Sequence, residues 1–181
     1  MLERHPACGR ADAPIVCDGF GRPHLDGSDL NFSVSHSRGF ALYAFGVGFA
    51  LGCDVEFRHS GLLGWDSADL VLSARERASL GTRPAGEQTV ALLQHWVRKE
   101  AWLKARGIGL DCPMQAITLS DGGAAPRFLE LPDDDPAQWF IADLALPGDY
   151  VGALATRECT PLIRYVTTAL GDALATEPSS G

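Results

Sequence analysis

The sequence predicts an α+β fold, and three observations predict it. One long segment, Glu87 to Arg106, carries helical periodicity and ends at glycines. Runs that alternate with a period of two residues lie before it, between Asn31 and Phe57, and further strand-like runs follow it as far as Thr156. Strands and helix therefore fall in blocks, the arrangement of an α+β domain.

Taken in order, Ile15 to Cys17 and Arg22 to Leu25 are expected as short strands around a Gly19–Gly21 turn. Asn31 to Phe57 reads as a hairpin or meander, with Phe32 and Val34 alternating with Ser33 and Ser35, and two β-rich runs around Gly46–Gly48. Ser60 to Gly86 is expected to be mostly helical. Within it, Ser73 and Glu76 have the spacing of a capping box, so Glu76 reads first as a cap. Gly107 and Gly109 suit left-handed positions closing the central helix. Pro113 to Leu119, Arg127 to Leu131, Trp139 to Leu146 and Tyr150 to Thr156 are expected strands, joined by DGGAAP, PDDDPAQ and PGD. PDDDP lacks the ligand ladder of a calcium loop and reads as a solvated turn. The expected division is residues 1–50, 51–165 and a disordered tail over 166–181.

A chain of 181 residues with 46% hydrophobic content can bury one good-sized core or two small halves. The longest apolar run, Phe40 to Cys53, is broken by glycines, and MLERHPACGR lacks the apolar core of a signal peptide, so no membrane association and a cytoplasmic location are expected. Five cysteines without CxxC spacing suggest free thiols, not disulfides or a zinc site. The formal charge of −8 argues against nucleic-acid binding and leaves any anionic ligand to local cations. Both lysines, Lys99 and Lys104, fall in the central helix, while every other cation is arginine; a compact ammonium is suggested there.

Chemistry concentrates in two stretches. On the central helix, Leu92, Trp96 and Leu103 form an apolar stripe with Glu100 and Lys104 along its edge. An ordinary Glu–Lys pair four residues apart would look the same. In LGCDVEFR, Leu51, Cys53, Val55 and Phe57 share one strand face, and Asp54 and Glu56 share the other. Carboxylates so close repel, and solvent, a raised pKa or a cation relieves the repulsion. Joined by Glu100, they would make an all-oxygen ligand set suited to Mg²⁺; alone, they would equally suit the wet face of an edge strand. Ser35 and His36 do not make a hydrolase pair, because neighbours on a strand point to opposite faces, and no G-x-S-x-G elbow exists.

Together, NFSVSHS (Asn31 to Ser37), LGCDVEF and WVRKEAWLKARGIGL (Trp96 to Leu110) resemble the three motifs of the 4′-phosphopantetheinyl transferases of the surfactin-synthetase type, in order and approximate spacing. The resemblance runs from about Phe20 to Leu119. Its W-[ST]-x-K-E pattern is met at Trp96, Lys99 and Glu100, with Val97 in place of the hydroxyl residue. It implies two similar α/β halves, of which this chain would carry the first incompletely. It also implies transfer of 4′-phosphopantetheine from coenzyme A to a serine of an apo acyl or peptidyl carrier protein. Asp54, Glu56 and Glu100 would hold Mg²⁺, and Glu100 would take the serine proton. Lys104 would offset charge on the departing nucleotide, while Arg22, Ser35 and His36 would contact coenzyme A phosphates. The implied assembly is a monomer or a homodimer. Two other readings remain: a non-catalytic relative that binds a partner, and another Mg²⁺-dependent phosphoryl enzyme such as a phosphatase.

Overall fold

A computed structural model describes residues 14–17, 23–120, 125–158 and 160–167. β1 (Ile15–Cys17) pairs antiparallel with β2 (Pro23–Leu25). β3 (Leu30–Ser37) and β4 (Phe40–Val47) form a second antiparallel pair, in register from Leu30 opposite Val47 to Ser37 opposite Phe40. Arg38 and Gly39, with φ of 47° and 82°, make its two-residue turn, the left-handed geometry that matches strand twist.

β5 (Leu51–Phe57) does not extend this hairpin into a meander. After α1 (Ala68–Val71), α2 (Ala74–Leu80) and α3 (Ala85–Arg106) come the short pair β6 (Thr118–Leu119) and β7 (Phe128–Glu130), then β8 (Trp139–Asp143) and β9 (Tyr150–Arg157). β9 lies between β5 and β8 in one antiparallel sheet, ordered β5-β9-β8. α3 crosses the face of that sheet.

The packing follows from residue size. Gly52 lets α3 settle on β5, since a Cβ there would overlap the Ala101 carbonyl and the Ala105 amide. Trp102, wholly buried, meets Trp139 edge-on at 5.9 Å and Phe128 at 6.2 Å between ring centroids. Leu92, Leu93, Val97, Leu103, Ala153 and Ala155 fill the space around them. Leu92 and Leu103 of the expected stripe are buried, but Trp96 is only partly so, and Val97 and Trp102 complete the face that holds α3.

Beneath α3 lies a polar hub. Lys99 Nζ, fully buried, shares its three N–H groups among Glu76 Oε2 (2.6 Å) and the carbonyls of Val71 (2.8 Å), Ile117 (2.7 Å) and Met114 (3.2 Å). Glu76 completes the expected capping box with Ser73, and its Oε1 accepts the Leu119 N–H at 2.8 Å. One carboxylate and one ammonium thus satisfy groups from α1, α2, α3 and β6.

Several expectations change. Ser60 to Gly86 is mostly helical as expected but broken into a 3₁₀ turn at Trp65–Ser67, α1, α2 and the start of α3, because Ser73 must leave helical geometry to cap α2. Pro113 to Leu119 keeps strand only at β6 and begins with a 3₁₀ turn, Met114–Ala116, whose Met114 carbonyl serves Lys99. PDDDP is not simply solvated. Asp134, with its side chain 5% exposed, accepts Arg106 Nη1 at 2.6 Å and lies 3.7 Å from Arg157 Nη2, fastening the end of α3 to β9. Gly107, at φ 70°, closes α3 as expected, donating to the Leu103 carbonyl at 2.9 Å. Cys17, Cys53 and Cys112 are free thiols. Among the described residues no helix is long and apolar enough to cross a membrane. Arg22 and the tail from 168 onward lie outside the described residues.

Candidate active site

The parity of β5 is as the sequence predicts, but both its faces are covered. Gly52, Asp54 and Glu56 look toward α3, while Leu51, Cys53 and Val55 are buried on the side opposite to α3. Asp54 is therefore not on a wet edge; it is 4% exposed. α3 brings Glu100 and Lys104 down onto this face. Lys104 Nζ donates to Asp54 Oδ1 at 2.7 Å, so its first partner is a carboxylate of the site itself.

The acids feel one another's charge. Burial, and then the charges of Asp54 and Glu56, push the Glu100 carboxyl up to about 7, against the pull of Lys104. Burial also raises Asp54 despite Lys104, and raises Glu56 despite a hydroxyl donated by Ser37. Glu100 Oε1 and Asp54 Oδ2 are buried without a hydrogen-bond partner among the described residues. Such orphaned oxygens cost free energy unless a proton or a cation meets them. The donor set is all oxygen and fits a hard cation such as Mg²⁺. The side chains are not closed into a cage, however: among the described residues no three acidic, histidine or cysteine groups gather in metal-binding geometry.

β3 reaches the site through alternate serines. Ser35 Oγ donates to Asp54 Oδ1 and Ser37 Oγ to Glu56 Oε2, both at 2.7 Å. The same oxygens, with Ser33 Oγ, accept the backbone N–H groups of Val55 (3.2 Å), Phe57 (3.1 Å) and Cys53 (3.0 Å). Ser35, for which the resemblance implies a phosphate contact, is buried and turned toward Asp54. His36 stands on the other face of β3, exposed, near enough to Glu56 for its charge to favour the carboxylate. Ser37 and Gly52 are the site-forming residues that motif reading passed over. Their signal was the S-x-S-x-S period matched by the C-x-V-x-F period of β5.

The neighbouring thiol of Cys53 is pushed up to about 11 by burial, which keeps it inert. Toward the start of α3 is a cavity of about 240 Å³ lined in part by Arg58, His59, Leu63, Thr89 and Leu93, the last two about three and two helical turns before Glu100.

A compact α+β body with acids on a strand and a facing helix, at residues where the family motifs fall, defines a class. Residues 50–155 match the sequence profile of the 4′-phosphopantetheinyl transferase superfamily, and the chain belongs to that superfamily. It is similar to the 4′-phosphopantetheinyl transferase Sfp of Bacillus subtilis (strain 168), with 26% identity over 134 residues, covering 74% of this chain and 58% of the relative. A second 4′-phosphopantetheinyl transferase of Bacillus subtilis is 29% identical over 117 residues, covering 63% of this chain and 50% of its own length. The chain thus spans little more than half of these relatives. Among solved structures, the holo-[acyl-carrier-protein] synthase of Thermotoga maritima superposes with a TM-score of 0.51 at 18% identity, covering 61% of this chain and 64% of that one, a likeness of fold.

Proposed function

We propose that this protein transfers the 4′-phosphopantetheine arm of coenzyme A to a serine of an acyl or peptidyl carrier protein in the cytoplasm. The observation that carries this reading is Glu100: a carboxylate in the superfamily's third motif, with a buried unpartnered oxygen and an affinity for protons balanced near neutrality. A base poised near the working pH both accepts and releases a proton readily. Glu100 Oε1 would take the proton of the carrier serine, leaving its oxygen to attack the phosphorus that carries the pantetheine arm; the nucleotide departs with the bridging oxygen. Asp54, Glu56 and Glu100 would hold Mg²⁺, with the orphaned Asp54 Oδ2 and the second oxygen of Glu100 as ligands, leaving Glu100 Oε1 for the proton. When bound, the ion supplies neutralisation of charge on the diphosphate. Lys104 keeps a positive charge beside Asp54 and can turn toward the leaving nucleotide. His36, exposed at the rim, suits a phosphate contact, and Arg22 is proposed for the same role from its motif position.

The test is incubation with coenzyme A, Mg²⁺ and an apo carrier protein, followed by mass spectrometry of the carrier. The mass gain of a phosphopantetheine arm is expected, and Glu100→Gln should abolish most of it while the protein stays folded. A wild-type protein that leaves the carrier unmodified would overturn the reading.

A further inference from the structure

β5 has one edge paired with β9 and one edge that, among the described residues, no backbone strand covers. Its outward N–H groups, at Cys53, Val55 and Phe57, would be unsatisfied there. The hydroxyls of Ser33, Ser35 and Ser37 meet them one by one, so side chains of β3 stand in for the carbonyls of a paired strand. A serine hydroxyl has a single proton to donate. Ser35 gives it to Asp54 Oδ1, and Ser37 gives it to Glu56 Oε2. Ser33 makes the same backbone contact without touching a carboxylate of the site. The three are alike in burial, at 7%, 7% and 8% exposed, so they differ in what they donate to and not in how they are packed.

We infer that Ser35 and Ser37 are positioning residues for the acidic pair: each engages one oxygen of its carboxylate and turns the other toward the cleft shared with Glu100. Asp54 Oδ1, held by Ser35 and Lys104 together, leaves Oδ2 unpartnered, and Glu56, held through Oε2, presents Oε1. Hydrogen-bonded partners of this kind fix ligand orientation, and their loss weakens cation affinity by about 10–100-fold. The proton of Ser35 is committed to Asp54, so the hydroxyl has none left to give a coenzyme phosphate. This inference rests on the proposed role of the acids as cation ligands.

The experiment is calorimetric titration of Mn²⁺ into the wild-type protein and into Ser33→Ala, Ser35→Ala, Ser37→Ala and Ser35→Thr, with each variant's folding checked by thermal melting. Ser35→Ala and Ser37→Ala should each weaken Mn²⁺ binding by about tenfold. Ser33→Ala, which loosens the same seam, should leave it within about twofold, and Ser35→Thr, which restores a hydroxyl, should recover most of the loss. Coenzyme A affinity measured in chelator should be unchanged by Ser35→Ala. The inference is overturned if the two alanine variants bind Mn²⁺ like the wild type, if Ser33→Ala loses as much as they do, or if Ser35→Ala loses coenzyme A affinity in chelator. Mn²⁺ binding by the wild type separates that failure from failure of the metal reading, because a wild type that binds none overturns both.

Discussion

Glu100 has opposite consequences for stability and for chemistry. With its pKa raised from 4.5 to about 7, the folded chain holds this proton more tightly than the unfolded chain does. Stability from this group is therefore full below about pH 4.5, falls as pH rises to about 7, and stays lower above it. With cations chelated, Glu100→Gln should be more stable than the parent by about 2 kcal/mol at pH 8, after allowance for partial exposure, and no more stable at pH 4. Urea unfolding at the two pH values checks this. Lys99 behaves differently, because its ammonium answers four buried oxygens. Lys99→Met strands the Glu76 carboxylate and should cost about 3–5 kcal/mol, read from the same urea curves. The two lysines of the chain were legible as a signal but not as roles. Lys104 faces Asp54 in the cleft, whereas Lys99 is a structural cation, a difference that depends on carbonyls from Val71, Met114 and Ile117, which no local pattern reveals.

At the scale of elements, α3 and β5 act as one unit through Gly52. Gly52→Ala forces a methyl group into the backbone of α3 and should destabilise by at least about 1–3 kcal/mol, the usual cost of overpacking. Coenzyme-dependent transfer should fall more than stability does, since the lift separates Glu100 from Asp54; melting and transfer assays on one preparation compare the two. What the sequence made legible here were local signals: the Ser73–Glu76 box, the Gly107 cap, and the alternation that sets Asp54 and Glu56 on one face of β5. Alternation gives parity but not the direction of the body. In β3 the serines face inward, with Val34 36% exposed, the reverse of an ordinary amphipathic strand. That reversal follows from the uncovered edge of β5, a fact about distant chain that a window of seven residues does not contain. Asp134 was hidden for the same reason: its meaning comes from Arg106 and Arg157, far from its own turn.

For the molecule as a whole, the parts differ in how they are held. The sheet β5-β9-β8 and α3 share a continuous apolar core around Trp102, whereas β3 and β4 join β5 through a seam of serine hydroxyls and outer residues such as Tyr43 (52% exposed) and Phe45 (42% exposed) remain in water. Local opening follows the smaller burial. In native-state hydrogen exchange, amides of β4 should exchange well before those of β9 and the Val97 to Leu103 turns of α3; equal protection would contradict this division. The setting of α3 carries a last consequence. Lys99 is rooted in the hub on one side of the helix, and Glu100, about 100° further round, leans toward the acids. Losing one residue between Lys99 and Lys104 would swing the second ammonium by that same angle, away from Asp54. The first residues, Ala85 to Glu87, are exposed and committed to neither contact. Length variation in this helix is therefore tolerable only at its Pro84 end, where trimming changes reach without changing aim.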